Sequence, residues 1–98
     1  MTKAEIVAEI SKETGIERDK ALRVVEALMV KIKDHTLQGE DVFFRGFGTF
    51  TTKVRAEKMG RLISKNQTII VPEHLVPFFK PCDDYKKRFL SVPVPKKG

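Results

Sequence analysis

The chemistry that this sequence offers is mainly that of positive charge, and the charge is concentrated in one segment. Residues 53–75 contain no aromatic side chain, whereas residues 41–50 hold four of the seven phenylalanines. The cations in the first half of the aromatic-free segment are Lys53, Arg55, Lys58, Arg61 and Lys65. A segment that carries positive charge and has little to bury is suited to lie on a polyanion.

Patterns for catalysis or metal binding are weak by comparison. The sequence Gly46-Phe47-Gly48 lacks the third glycine of a phosphate-binding loop and precedes a strand, so we interpret it as a tight turn with Phe47 in the core. His35 and His74 lie far apart, and Cys82 belongs to no catalytic histidine signature. We therefore expect no enzyme, no metal site, no cofactor and no small-molecule substrate.

Length and composition favour a single domain with a nucleic-acid partner. The 98 residues carry a net charge of +6, which would also suit an acidic protein or an anionic membrane surface. The single cysteine excludes an intrachain disulfide and a Cys-based zinc site, and a reducing cytoplasm is the expected compartment. The first residues lack a signal-peptide pattern, and no stretch approaches the roughly 18 apolar residues of a membrane span.

The apolar residues are too few for a self-sufficient monomer. Without the basic segment 53–75 and the Pro/Lys-rich residues 92–98, 68 residues remain. Bodies below about 70–80 residues rarely stabilise themselves without a disulfide, a metal or an oligomer. With a disulfide excluded and a metal unsupported, an obligate dimer is the remaining route.

Helical signals come first along the chain. Thr2 and Glu5 form a capping box at a helix start, and Gly15 suits the end of that helix. A second helix is predicted from about Arg18 to Leu37, with Gly39 stopping it. Its apolar face consists of Ala21, Val24, Val25, Leu28, Ile32 and Leu37. We expect an antiparallel helical hairpin with this face in the core.

Strand signals follow the helices. Residues 41–45 and 49–55 are predicted to form two strands, and alternation within 49–55 leaves one face of the second strand polar and basic. The pattern continues to Gly60, turns near 64–66 and returns antiparallel through 68–71. The two strands predict a ribbon, and at about 3.3 Å per residue a ten-residue arm reaches roughly 30 Å. Lys80 and Pro81 close the sheet, and residues 83–90 are predicted to form a short last helix.

Three spaced motifs fall in one register along the chain. RGFGTF at 45–50 matches a G-F-G-[NS]-F signature with Thr49 at the Asn/Ser position, GR at 60–61 matches a G-R before an arm tip, and VPFFKP at 76–81 matches a P-x-F-K-P return. With the helical start and the last helix, the chain resembles the bacterial HU/IHF family of histone-like DNA-bending proteins over residues 1–91.

The resemblance implies an α+β fold in an intertwined dimer. Each chain would supply an N-terminal helical hairpin, an antiparallel sheet with a long β-ribbon arm at about 53–75, and a short C-terminal helix. Residues 1–91 would form the DNA-binding domain, and 92–98 a basic Pro/Lys tail that is extended or disordered. The residues that the resemblance assigns to DNA contact are Lys3, Arg45, Lys53, Arg55, Lys58, Arg61, Ile63, Lys65 and Lys80.

Three features depart from the family pattern: the arm tip, an acidic pair near the last helix, and the tail. Ile63 stands where the family has a proline that wedges between base pairs, and Asn66 stands where it has glycine. Asp83 and Asp84 fall where many members carry a basic residue. The tail after Ser91 extends beyond the usual end.

We therefore predict a non-enzymatic protein that binds the minor groove of duplex DNA through its arms and bends it, largely without sequence specificity. It would compact or organise the chromosome in the cytoplasm, associated with the nucleoid, as a homodimer or as a heterodimer with a related chain. One alternative is a site-selective, IHF-like bender, for which Arg45 could serve. The other is a basic RNA-binding or ribosome-associated protein, which aromatic residues on an exposed sheet face would favour. The phenylalanines fall in apparent core positions, so duplex DNA is preferred.

Overall fold

The computed structural model describes residues 1–62 and 67–95, with residues 61 and 62 as backbone only. Three helices and five strands follow one another as α1 (Lys3–Thr14), α2 (Arg18–Leu37), β1 (Val42–Phe44), β2 (Gly48–Arg55), β3 (Lys58–Leu62), β4 (Gln67–Val71), β5 (His74–Pro81) and α3 (Asp83–Arg88), and a 3₁₀ turn (Phe89–Ser91) comes last. The α+β architecture expected from the sequence is confirmed.

The first helix begins and ends at its predicted capping residues. The hydroxyl of Thr2 accepts a hydrogen bond from the backbone N–H of Glu5 at 3.2 Å. Gly15 closes α1 in the left-handed conformation, with φ of 75°, which glycine adopts without a steric penalty. The predicted bounds of the second helix are confirmed, because α2 spans Arg18–Leu37 and Gly39 follows it with φ of 82°.

The helical hairpin covers very little of its own apolar surface. Within the described residues, Val7 and Ala21 are the only buried hydrophobic side chains, at 1% and 2% exposed. Much of the predicted core face of α2 is open, with Val24 at 65%, Leu28 at 46% and Leu37 at 84% exposed. One chain therefore covers this face only in part, and the prediction that the whole face lies in a core stays a prediction.

The strands form one three-stranded sheet and one two-stranded ribbon. The sheet has the order β1-β2-β5 and is antiparallel throughout. The ribbon pairs β3 with β4, and Lys58 lies opposite Val71. The predicted arm is confirmed, with an interruption between Arg55 and Lys58 where the sheet ends and the ribbon begins. The turn predicted near 64–66 lies outside the described residues.

The turn between β1 and β2 requires both of its glycines. Gly46 has φ of 82°, a left-handed conformation that costs other residues roughly 1–2 kcal/mol. Gly48 is buried, and a Cβ added there would lie 2.5 Å from the carbonyl oxygen of Lys80 and 2.6 Å from Cζ of Phe79. The interpretation of this segment as a tight turn is confirmed.

An aromatic cluster lies beneath the sheet and holds the last helix. Its ring centroids are 4.9 Å apart between Phe47 and Phe79, 4.8 Å between Phe50 and Phe79, and 5.8 Å between Phe47 and Tyr85. Phe47 therefore joins the core as predicted, although its side chain stays 45% exposed in the single chain. The last helix is shorter than the predicted 83–90, because the final residues tighten into the 3₁₀ turn.

Candidate nucleic-acid interface

The three-stranded sheet has one face that is rich in cations and hydroxyls. Strand pairing puts residues that lie directly opposite each other on the same face. Thr49 pairs with both Phe43 and Lys80, and Thr51 pairs with Phe78. We call this surface the cationic face, and its described members include Phe43, Thr49, Thr51, Lys53, Arg55, Phe78 and Lys80. The predicted polar and basic face of the second strand is confirmed.

The opposite face of the same sheet is apolar. Phe50 pairs with Phe79, and Val54 pairs with Leu75. Because side chains alternate along a strand with a period of two, the sequence that supplies these residues necessarily places its intervening cations on the other side. The aromatic cluster therefore packs against the opposite face of the sheet and fixes the strands that carry the cations.

One cation of this face is held by an aromatic ring. The ammonium of Lys53 lies 4.8 Å from the centroid of the Phe78 ring, within the range of a cation–π interaction. A stacked ammonium keeps its charge and its outward hydrogen-bond donors. Phe78 thus positions Lys53 over the sheet, where it can meet an anion.

Acidic groups border the cationic face at one end. The hydroxyl of Thr51 donates a 2.6 Å hydrogen bond to the carboxylate of Asp41. A shallow groove of about 680 Å³ in this region is lined by both signs of charge, with Arg45 and Lys80 near Asp41 and Asp83. An anion is therefore favoured along Lys53 and Arg55 more than at this end.

The arm carries the remaining candidate residues. Lys58 begins β3, and Arg61 belongs to the same strand, where the structure describes only its backbone. Ile63 and Lys65 lie outside the described residues. Their assignment to DNA contact stays a prediction.

Lys3 occupies a different setting from the other candidates. Its ammonium lies 3.1 Å from a carboxylate oxygen of Glu26 on α2, and both side chains are about half exposed, at 48% and 50%. The structure thus brings Lys53, Arg55 and Lys80 onto one face and leaves Lys3 at the helical hairpin.

Sequence reasoning missed two aromatic residues at this interface. Phe43 is 75% and Phe78 is 40% exposed, and the pairing puts both on the face opposite the Phe50–Phe79 pair of the aromatic cluster, so the expectation that the phenylalanines occupy core positions is wrong for both. The signal was present, because each belongs to a Phe-Phe pair in a strand. Two adjacent strand residues point to opposite faces, so one ring of each pair had to lie outside the core.

No helix within residues 1–62 and 67–95 has the length and apolar character that a bilayer crossing requires.

Comparisons with known proteins agree with this geometry. A family model described as bacterial DNA-binding protein matches residues 1–89. DNA-binding protein HU of Campylobacter jejuni is 35% identical over 80 residues, covering 82% of each chain. Integration host factor subunit alpha of Aliivibrio fischeri is 30% identical over 96 residues, covering 98% of each chain.

A solved structure extends the agreement to three dimensions. A cocrystal structure of Anabaena HU with DNA superimposes with a TM-score of 0.85 at 25% identity, covering 95% of this chain and 100% of that one. The resemblance inferred from the three sequence motifs is thereby confirmed, and the chain belongs to the family of bacterial DNA-binding proteins that includes HU and integration host factor.

Proposed function

We propose that two copies of this chain form a dimer that binds duplex DNA on its cationic faces, embraces it with its arms and bends it. The observation that carries the proposal is the continuity of positive charge from the sheet into the ribbon. Lys53 and Arg55 end β2, and Lys58 begins β3 after two intervening residues. A line of cations along a projecting element, with Glu57 as the one acidic residue between Arg55 and Lys58, is suited to an extended phosphate backbone.

The surface of the single chain supports the dimer. The chain exposes 8942 Å², whereas a compact monomer of its mass exposes about 5,700 Å². Its radius of gyration is 18.9 Å, against about 13 Å for a compact domain of this length. The projecting arm accounts for part of both differences. Obligate homodimers bury about 2,000–5,000 Å² in total, and the open apolar surface of this chain is available for such an interface.

The apolar surfaces left open indicate where a second copy would pack. Leu37, at the end of α2, and Leu75, on β5, line a groove of about 390 Å³ with a mainly apolar wall. Val24 and Leu28 extend the open apolar surface along the helix. A related chain with the same face could take the place of an identical one, so a heterodimer uses the same contacts.

The mode of DNA binding follows from the kinds of side chain available. The described cations of the face and arm are suited to phosphates, which give affinity with little sequence information. Selectivity would then come from how easily a sequence deforms. Entry of the arms into the minor groove is carried over from the HU/IHF resemblance. With this activity, the protein would compact or organise the chromosome in the nucleoid of the cytoplasm.

Bending of a short duplex tests the proposal. A duplex labelled at both ends should show higher end-to-end fluorescence transfer at saturating protein, with similar affinity for random and fixed sequences. An excess of RNA should compete poorly. Binding without any change in transfer would contradict the bending proposal, and strong dependence on one sequence would favour the site-selective alternative.

Sedimentation equilibrium tests the dimer separately. At micromolar concentration the chain of 11.2 kDa should sediment with twice that mass, or do so only when mixed with a related chain. A cooperatively folded monomer under these conditions would contradict the dimer.

A further inference from the structure

We propose that Met59 is a site of reversible oxidation by peroxide, and that its sulfoxide weakens the hold of the arm on DNA. Met59 lies on β3 in the arm, and its side chain is 72% exposed. A thioether in the open is accessible to a small oxidant, and oxidation turns this apolar side chain into a polar one. Oxidation itself requires only the exposed thioether, whereas its effect on the arm rests on the proposed DNA binding.

The register of the strands places Met59 on the continuation of the cationic face. Arg55 pairs with His74 at the end of the sheet, and Lys58 pairs with Val71 at the start of the ribbon. Both strands advance by three residues between these two pairs, so neither strand gains an extra residue there. Because side chains alternate along a strand with a period of two, Met59 falls on the same side as Arg55.

Met59 forms an apolar pair with Ile70 on that side. The two residues lie directly opposite each other on β3 and β4, and Ile70 is 64% exposed. On the other side of the ribbon, Ile69 and Val71 are less open, at 41% and 37%. Among the described residues of the ribbon, the larger apolar surface is therefore open on the side that continues the cationic face. DNA held along this side would cover the Met59–Ile70 pair, and removal of the pair from water would add to the affinity.

The oxidation step balances with hydrogen peroxide as the only co-reactant. The thioether sulfur attacks one peroxide oxygen, the O–O bond breaks, and the other oxygen leaves as water after taking up the proton of the first. The sulfur loses two electrons and becomes a sulfoxide, while the peroxide is reduced. The sulfoxide has no net charge, but its oxygen accepts hydrogen bonds, so covering it beside the apolar side chain of Ile70 is unfavourable. Methionine sulfoxide reductases reverse the change.

The other sulfur atoms of the chain belong to other regions. Met29 lies on α2 and is 38% exposed, and Met1 precedes α1. Cys82 is half-buried between β5 and α3. Met59 is the one sulfur-containing residue within residues 53–75. An effect of peroxide on the arm is therefore assigned to this residue.

The first experiment oxidises the full chain in a Cys82→Ser background, so that only methionines react. Dilute hydrogen peroxide should add oxygen to Met59 before Met29, which peptide mass spectrometry would show. Fluorescence anisotropy should then show that duplex binding is weakened about tenfold. The log–log salt slope should stay the same, because the sulfoxide changes no charge. Treatment with methionine sulfoxide reductases for both sulfoxide epimers should restore the affinity.

Substitutions separate the polarity of this one side chain from damage elsewhere. Met59→Leu keeps an apolar side chain that peroxide does not oxidise, so its duplex binding should be normal and insensitive to peroxide. Met59→Gln introduces a polar, uncharged side chain and should bind duplex about tenfold more weakly without any peroxide. Met29→Leu is the matched control, because it removes a methionine from α2 and should leave the peroxide effect intact.

Sensitivity to peroxide that persists in Met59→Leu would overturn the proposal, as would a protein with oxidised Met59 that binds duplex as tightly as before. Oxidation of Met29 ahead of Met59 would overturn it as well. These results are obtained on protein that binds DNA, so they leave the proposed function intact. Untreated protein that fails to bind duplex would contradict the proposed function, and with it the effect on the arm, whereas the oxidation of Met59 would stand on the mass spectrum alone.

Discussion

The two faces of the three-stranded sheet are built from the same strands and differ in almost every other respect. On one face, Phe50 and Phe79 lie 4.8 Å apart within the aromatic cluster. On the other, Lys53 and Lys80 are exposed and Thr49 is partly buried. Alternation along each strand allows β2 and β5, of eight residues each, to supply side chains to both faces.

Because of this difference between the faces, neighbouring residues of one strand contribute to different properties, one to stability and the next to binding. A ring on the clustered face is fixed by neighbouring rings, so its removal leaves a cavity. A side chain on the cationic face has few partners in the chain, so its removal changes mainly what the surface can bind. Substitutions at adjacent positions should therefore have effects of different kinds, and the predictions below use this contrast.

The largest effect on stability is expected for Phe79→Ala. It removes the ring that contacts both Phe47 and Phe50, and loss of such a ring costs about 3 kcal/mol. Phe43→Ala, on the opposite face, should change the free energy of unfolding by less than about 0.5 kcal/mol. Urea denaturation at one fixed protein concentration measures both, since dimer stability depends on concentration. Equal losses of unfolding free energy in the two variants would contradict the claim that one face stabilises the fold and the other does not.

A change at Ile63 tests the arm without disturbing either face. We expect Ile63→Asp to abolish most of the DNA bending. Unstacking a base step costs a few kcal/mol, and a carboxylate gains no apolar contact there that would offset this cost. The free protein should melt nearly as before, and Ile63→Pro should retain the bend. End-to-end fluorescence transfer on a labelled duplex gives the answer. A bend that survives Ile63→Asp would exclude Ile63 as a wedge and leave only the basic arm.

A smaller effect is expected at the turn that joins β1 to β2. Gly46→Ala places a side chain at φ of 82° and should destabilise the protein by about 1 kcal/mol. The space around its Cβ is open, so the loss is conformational only. Thermal melting would detect it. A loss as large as that of Phe79→Ala would mean that the turn contributes packing contacts that its geometry does not indicate.

The smallest effect is expected at the helical hairpin. Glu26→Gln removes the charge that pairs with Lys3 at 3.1 Å, and exposed ion pairs contribute less than about 0.5 kcal/mol after screening by solvent and salt. Stability should barely change. If Lys3 contacts DNA phosphates, loss of its ion pair with Glu26 should strengthen duplex binding slightly at low salt. Adding Lys3→Gln to the same variant should abolish that gain.

Sequence patterns predicted the elements well because their signals are local. The capping box at Thr2, the left-handed glycine at Gly15 and the bounds of α2 each depend on neighbouring residues. The aromatic signature at 45–50 likewise encodes a turn, in which Gly46 is required by its positive φ and Gly48 by direct contact.

Sequence patterns predicted burial poorly, because burial depends on which distant segment of the chain, or which second copy, packs over a side chain. Val24, Leu28 and Leu37 form a helical stripe that one chain leaves open, and periodicity alone does not say which surface will cover it. Phe43 and Phe78 were placed in the core for their residue type, although the period of the strand directs them outward. The interruption after Arg55 has no signal in the sequence that we could identify.

The central claim is that cations on one sheet face and its arm hold the DNA backbone. The salt dependence of duplex binding tests it most directly, with and without four substitutions to glutamine at Lys53, Arg55, Lys58 and Arg61. The log–log slope of the unmutated protein should be about −0.9 per phosphate neutralised, and the quadruple variant should lose up to about 3.6 of that slope per chain while melting normally. Four similar substitutions on the helices, at Lys12, Arg18, Lys20 and Arg23, should leave the slope nearly unchanged. An unmutated protein whose binding ignores salt, or a quadruple variant with the same slope, would contradict the account.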